Sequence, residues 1–429
     1  MSNVYNNPYK LQFMPGLEKT IRDAQMHGIP IVGVEFIDKC IESGSRCNSK
    51  PYVLSGFVSD VEAKFKVDQA KKSDLDPRVQ DVVKTLFDEK EISRSLLDLG
   101  LDVRKMALIT QDKIKRAFNV LKEIEGNLQP TAMQTPQQHE AELRRISNAF
   151  YALVPTKSTP VIKTIDSIKA KSSLLETLTD IEIAQRLMKD KSGSDLNMNP
   201  IDVNYRKLRC TISPLESYRA EYEMIRKMVE NTQSGEFPYK LEICDVFEVN
   251  RQGEEERFAD YAKLPHHRLL WHGSRMSNYI GILSQGLRIA PPEAPVTGYF
   301  LGKGIYLADM ISVSAQYCHA TKEQPYALML LTDAALGRCF QLAHGKYISK
   351  EDLDGAGFHS TKCCGTKGPD PGYDVISADG LIVSMGQETK TGVPVSELIH
   401  NEIVLYDEAQ VRLRYLIKVK FTFGEKQYV

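Results

Sequence analysis

Leu269-Leu270-Trp271-His272-Gly273-Ser274-Arg275 decides how the C-terminal half of this chain is read. Three apolar residues, the last of them the chain's single tryptophan, give way to an imidazole, a residue without Cβ and a hydroxyl. That is the signature of a buried strand that ends in a loop, and loops at strand ends are where sites are usually built. A second segment, Gly302-Lys303-Gly304-Ile305-Tyr306-Leu307-Ala308-Asp309, has the same character.

Working outward, Leu413, Tyr415, Ile417, Val419, Phe421 and Phe423 alternate with Arg412, Arg414, Leu416, Lys418, Lys420 and Thr422. Period two with one polar face predicts an antiparallel sheet with a solvated side. Further strands are expected over Tyr239–Val249 and Tyr326–Leu331. Helices are expected over Tyr218–Val229 and Asn278–Gln285, the latter stopped by Gly286. Pro291–Tyr299 and Thr361–Tyr373 read as loops. Regular strand–helix alternation is missing, so a doubly wound parallel sheet is not expected.

Upstream of Pro200 the period becomes helical. Asp76-Pro77 is a cap followed by proline at the first helical position. Val79, Val82, Val83, Leu86 and Phe87 then share one face. A second stretch with Leu96 and Leu97 is broken by Gly100. Thr110 caps a third, with Ile114, Ala117, Phe118, Leu121 and Ile124 apolar, and Gly126 ends it. Residues 127–139 read as a loop, Leu143, Ile146 and Phe150 as helical, and Ile165–Lys189 as one long helix. The fold class is therefore α+β: an all-α region of five or six helices over 76–198, then a mixed, mainly antiparallel sheet domain over 199–429.

The 429 residues carry a net charge of −1, with 42% hydrophobic and 26% charged residues. This argues against a protein that coats nucleic acid by charge alone. No run of about 18 apolar residues suggests a membrane span, and the first residues do not resemble a secretory leader. Eight cysteines, Cys363-Cys364 among them, form no C-x-x-C pair, so no metal site is expected. Gly302 and Gly304 lack the third glycine and the βαβ frame of a dinucleotide fold. In the N-terminal part a short helix over Leu17–Gln25 is followed by Ile29-Pro30-Ile31-Val32 and then Glu35-Phe36-Ile37-Asp38-Lys39-Cys40-Ile41 at helical spacing. This order resembles the C-terminal half of a BRCT domain, over residues 1–54. Residues 55–75, with Lys71-Lys72, read as a linker.

His272, Gly273, Ser274, Tyr299, Tyr306, Ser314, Tyr317 and Glu402 each have a bland structural reading taken singly. Glu402 is the hardest to dismiss. A carboxylate at the edge of Ile403-Val404-Leu405 costs several kcal/mol to bury unpaired.

Residues 269–275, 281–299, 302–310 and Asn401-Glu402-Ile403-Val404-Leu405-Tyr406-Asp407 closely resemble the catalytic domain of the poly(ADP-ribose) polymerases. The likeness covers 199–423. Residues 76–198, as in Pro77–Val83 and Leu178–Ala184, resemble the helical regulatory domain of the DNA-damage-responsive branch. The resemblance implies an NAD+-dependent ADP-ribosyltransferase with no cofactor beyond the substrate NAD+ and no metal. It implies that Gly273 and Ser314 hold the carboxamide, that Tyr317 and Tyr306 sandwich the nicotinamide ring, and that His272 bonds the adenosine ribose. Glu402 would hold the nicotinamide ribose and help activate the acceptor. By the same resemblance Ser274, Arg288 and Tyr299 would line the NAD+ site, and Glu176 and Asp180 of the helical domain would face its adenosine side.

The set His272, Tyr306, Glu402 implies polymer formation; a mono-transferase and a non-catalytic NAD-sensing scaffold are the alternatives. Protein acceptors including the chain itself, a nuclear location and a role in DNA repair follow from the same resemblance. Neither a WGR domain nor zinc fingers are recognised, so damaged DNA is expected to act only indirectly. His400 and Phe300 stand where close relatives commonly carry Tyr and Met, on the expected acceptor side.

Overall fold

The computed structural model describes residues 72–102, 110–190 and 198–424, with the short pieces 3–4, 31–32 and 40–43. One compact unit comprises residues 1–73 with 194–200; in it, Asn3–Val4 and Ile31–Val32 pair in parallel. Apart from these pieces, residues 40–43 and the last four linker residues, 72–75, which form neither helix nor strand, the BRCT-like segment and the 55–75 linker lie outside the described residues. The second unit, residues 74–193 with 201–429, holds both the helices and the sheets.

The helices begin where the caps predict. In α1 (Pro77–Leu86) the Asp76 carboxylate accepts from the Arg78 amide at 2.8 Å, and Val79, Val82, Val83 and Leu86 are buried. α2 spans Glu89–Asp98, and Thr110 caps α3 (Gln111–Gly126). α4 (Pro136–Leu153) starts inside the stretch expected to be loop. Thr135 and Gln138 form a reciprocal capping box there and proline occupies the first turn, so local capping overrides the polar composition. α5 runs over Ile165–Lys189 with Leu174, Leu175, Leu178, Ile181 and Ala184 buried. It packs between α3 and the short helix Tyr279–Gln285 of the C-terminal region, which is why its apolar residues are not confined to one stripe.

After α6 (Pro200–Leu208) come β1 (Cys210–Pro214), α7 (Ala220–Asn231), β2 (Tyr239–Arg251), β3 (His267–Gly273), α8 (Tyr279–Gln285) and β4 (Ile305–Leu307). The chain continues through α9 (Ile311–Ala315), β5 (Tyr326–Ala335), β6 (Cys339–Leu342), β7 (Ser360–Cys363), β8 (Val375–Ile376), β9 (Ile382–Val383), β10 (Glu402–Leu405) and β11 (Val411–Phe423). One seven-stranded sheet has the order β8-β9-β3-β5-β11-β2-β1, and a four-stranded sheet the order β4-β10-β7-β6. Only β9–β3 and β6–β7 are parallel pairs within them. The two sheets meet where Trp271 N donates to Ala308 O at 2.8 Å and Ala308 N donates to Trp271 O at 3.0 Å.

Two expectations for the strands are also corrected. Thr361–Tyr373 is not a free loop: β7 forms there, and Lys367–Pro369 pairs with Glu388–Lys390. The pairing of Cys363 opposite Glu402 is tertiary and leaves no mark in a Gly/Lys/Pro-rich stretch. The polar face of β11 is also not simply solvated. Leu416 on that face is fully buried in an apolar cluster that runs into the helices, and Lys418 Nζ pairs with Asp81 of α1 at 2.6 Å. The helical region covers what a lone antiparallel sheet would leave wet.

Candidate active site

The site is built where β3 ends. A Cβ on Gly273 would lie 2.0 Å from the Ser314 carbonyl oxygen and 2.7 Å from its carbon, so no side chain fits between β3 and α9. Ser314 Oγ donates to the Trp271 carbonyl at 3.0 Å and locks α9 onto the strand. Gly273→Ala is therefore expected to push α9 away from β3. Overpacking of this kind costs about 1–3 kcal/mol; the cost should appear as a lower Tm in thermal melts.

His272 is partly buried on the cleft wall, and desolvation pushes its imidazole pKa down, so the ring is neutral at pH 7. Its Nδ1 lies 3.1 Å from the Tyr306 carbonyl. A carbonyl only accepts, so Nδ1 carries the proton and Nε2 is an acceptor. The Tyr306 hydroxyl donates to the Gly302 carbonyl at 2.9 Å and accepts from the Leu301 amide at 3.0 Å. The ring is thereby pinned by the loop that precedes it. Tyr317 is half exposed. Ser274 Oγ accepts from Asn278 Nδ2 at 2.9 Å.

Glu402 is the first residue of β10. Burial raises its carboxyl pKa, and the Lys169 ammonium across the cleft opposes that rise. No hydrogen bond to its carboxylate is found among the described residues. It is a poorly solvated carboxylate with free lone pairs, suited to a cation or a hydroxyl.

All eleven residues singled out from the sequence line one cleft of about 710 Å³. One wall is α5, which presents Lys169, Ser172, Glu176 and Asp180. The Tyr299 hydroxyl donates to Glu176 Oε1 at 2.6 Å, and Arg288 pairs with Asp180. A Cβ on Gly281 of α8 would lie 2.4 Å from Asp180 Oδ1, so the absent side chain lets the two helices close. Burial pushes the Asp180 pKa up to about 6, with the Arg288 guanidinium offsetting part of the rise.

The sign follows from linkage. A carboxyl raised above its unfolded value contributes most below the unfolded pKa, and that contribution is lost as pH climbs through about 6. The Tm gap between wild type and Asp180→Asn should shift in favour of the variant between about pH 4 and pH 6. Parallel thermal melts read it.

Residues missed from the sequence include Lys169, Lys303 and Glu125. Lys303 Nζ donates to the carbonyls of Ala294 (2.6 Å), Pro291 (3.2 Å) and Pro292 (3.3 Å) and staples the 291–299 loop. Glu125 at the end of α3 accepts from the Val296 amide at 3.1 Å and from the Thr297 amide. Lys169, Ser172, Ser173, Glu176 and Asp180 recur at helical spacing, a polar stripe that the sequence does display. The Lys303 and Glu125 contacts are to backbone atoms and have no such signal.

Phe300 lines the cleft. His400 does not: it is buried, with Nε2 2.6 Å from Glu388 Oε1 and its ring on Phe237. The seven described cysteines are free thiols, and no metal-holding cluster occurs among the described residues. No described helix is long and apolar enough to cross a membrane.

Two family models match the chain: the poly(ADP-ribose) polymerase regulatory domain over residues 73–205 and the poly(ADP-ribose) polymerase catalytic domain over 219–421. Among curated proteins, the chain is 38% identical over 376 residues to poly [ADP-ribose] polymerase 1 of Gallus gallus. It is 37% identical over 377 residues to the protein of that name in Danio rerio. Each match covers 86% of this chain and 36% of the relative. Poly [ADP-ribose] polymerase 1 of Arabidopsis thaliana is 39% identical over 354 residues, 81% of this chain and 35% of the relative. The chain thus spans little more than a third of the length of these relatives.

Proposed function

The chain belongs to the poly(ADP-ribose) polymerase family by both its regulatory and its catalytic domain, and from that premise we propose that it transfers ADP-ribose from NAD+ to protein acceptors and to the growing chain. The observation that carries the reading is the convergence, in one cleft, of a backbone cradle at Gly273, two tyrosines and the Glu402 carboxyl, which has no hydrogen bond among the described residues.

The chemistry follows from those groups. The Gly273 backbone and the Ser314 hydroxyl hold the nicotinamide carboxamide, and Tyr306 and Tyr317 take the two faces of its ring. His272 Nε2, an acceptor by its tautomer, receives a ribose hydroxyl on the adenosine side, near Ser274, Arg288 and Tyr299. The C1′–N bond breaks and nicotinamide leaves with the bonding pair. Positive charge develops on the ribose, where the Glu402 carboxylate stabilises it electrostatically. An acceptor oxygen bonds to C1′, and its proton passes to Glu402 and then to solvent. The protein's contribution is alignment and charge, with no cofactor beyond the substrate.

In the arrangement described, α5 walls the adenosine side. Glu176 and Asp180 already engage Tyr299 and Arg288. The helical domain therefore restrains NAD+ entry. With a net charge of −1, the chain has little overall electrostatic attraction for DNA, which favours an indirect action of a broken end on α5, in the nucleus. Incubation with labelled NAD+, with and without nicked DNA, tests the reading by polymer length and nicotinamide release. Single adducts would assign a mono-transferase, and NAD+ binding without nicotinamide release a sensor.

A further inference from the structure

We propose that Asp309 is a positioning residue for Glu402, acting through the side chain of Asn401 to tie the carboxylate's strand to the nicotinamide end of the cleft. The proposal rests on the reading of the cleft as a transferase site.

The backbone pairing of β4 with β10 ends at Leu307 opposite Ile403. Glu402 and Asn401 lie beyond that last rung. Continuing the register would set Asp309 opposite Asn401, and the two do meet there, by side chains: Asn401 Nδ2 donates to Asp309 Oδ2 at 2.7 Å. Asn401 Oδ1 accepts from the Gly365 amide at 3.0 Å. Both residues are 3% exposed. A Cβ on Gly368 would sit 2.6 Å from Asn401 Nδ2, so the amide is walled in. Asp309 in turn follows Ala308, whose amide and carbonyl both bond to Trp271. One unbroken path thus runs from the strand bearing His272 and Gly273, through Asp309 and Asn401, to Glu402.

The tie is costly as a stability device. Asp309 Oδ1 is buried with no hydrogen-bond partner among the described residues. The nearest cation, Lys362 Nζ, stands 3.8 Å from the other oxygen. Leaving a buried acceptor unsatisfied is unfavourable, and the backbone ladders of both sheets close without this side chain. What a carboxylate supplies, and an amide does not, is a partner that only accepts. It forces Asn401 to present Nδ2 to Asp309 and Oδ1 to Gly365. A flipped Asn401 would set oxygen against oxygen and NH2 against the Gly365 N–H. The residue before Glu402 therefore has one orientation.

The test compares Asp309→Ala, Asp309→Asn and the reciprocal pair Asp309→Asn/Asn401→Asp in the full chain. The expected result for each single variant is a fall in kcat of about tenfold or more, since small misplacements of reacting groups are that costly. KM for NAD+ and the inhibition constant of nicotinamide should stay within about twofold, because only transition-state alignment is lost. The reciprocal pair restores one donor facing one acceptor and should recover most of kcat. Single variants with wild-type kcat would overturn the proposal. So would a loss of kcat matched by an equal loss of nicotinamide affinity, which marks general damage. Amide hydrogen exchange decides the point independently of turnover. Asp309→Ala should speed exchange at Gly365 and in residues 401–405 while residues 272–273 stay protected, and unchanged exchange would reject the tie. If the wild type releases no nicotinamide, the transferase reading fails on its own, and exchange still reads the Asp309 link.

Discussion

Glu402→Gln is expected to eliminate polymer while leaving NAD+ binding nearly intact. The substitution keeps the size of the side chain and its capacity to accept a hydrogen bond, and it removes the charge. In the ground state NAD+ already carries its positive charge on the nicotinamide ring, so a neutral amide near the ribose costs little binding. In the transition state the charge has moved onto the ribose ring, next to Glu402. Removing a preorganised electrostatic partner of this kind typically costs about 10²–10³ in kcat. Elongation should suffer more than the first attachment, because a sugar hydroxyl, with its high pKa, depends most on a base to take its proton. The expected gel therefore shows no ladder and a faint band of singly modified protein. Nicotinamide release should fall by at least about a hundredfold at unchanged KM. A variant that still builds long chains would remove Glu402 from the chemistry and, with it, the assignment of Tyr306, His272 and Glu402 as one set.

How much of this was legible in the chain depends on the range of the interaction. Helix caps act within four residues, and Asp76, Thr110 and Gly126 mark their helices correctly from sequence. The same range explains the one capping signal that composition masked, at Thr135 and Gln138. β11 could be read because alternation over a dozen residues is a periodic signal; what covers its polar face could not, because Asp81 lies 337 positions from Lys418. In the site, residues inside local motifs (His272 and Gly273, Gly302 and Tyr306, Asn401 and Glu402) could be picked out because those motifs resemble a known family. The contacts that hold them did not. Nothing near Gly273 announces that Ser314 O would touch its Cβ, and nothing near Asn401 announces Asp309. These are tertiary contacts between segments that are remote in sequence.

The polar stripe of α5 yields the other large effect, a gain of activity. Glu176→Ala/Asp180→Ala should raise basal turnover at limiting NAD+ by about tenfold or more. The two carboxylates clasp Tyr299 and Arg288, which line the space an adenosine half would enter. Each contact is a hydrogen bond to a group able to carry charge, worth about 1.5–3 kcal/mol when both partners are present. Burial raises both carboxyl pKa values, which discounts that range towards its lower end. The double variant removes two such contacts, about 3 kcal/mol together at that lower end; a loss of even half of that sum shifts the closed-to-open balance by about tenfold, and apparent affinity rises in proportion to the open fraction. The signature is a lower KM at constant kcat, since none of the altered atoms touches the reacting carbon. The apolar contacts of α5 with α8 remain, so Tm should fall only modestly. Unchanged KM would mean that α5 is a permanent wall, and that NAD+ binds beside it.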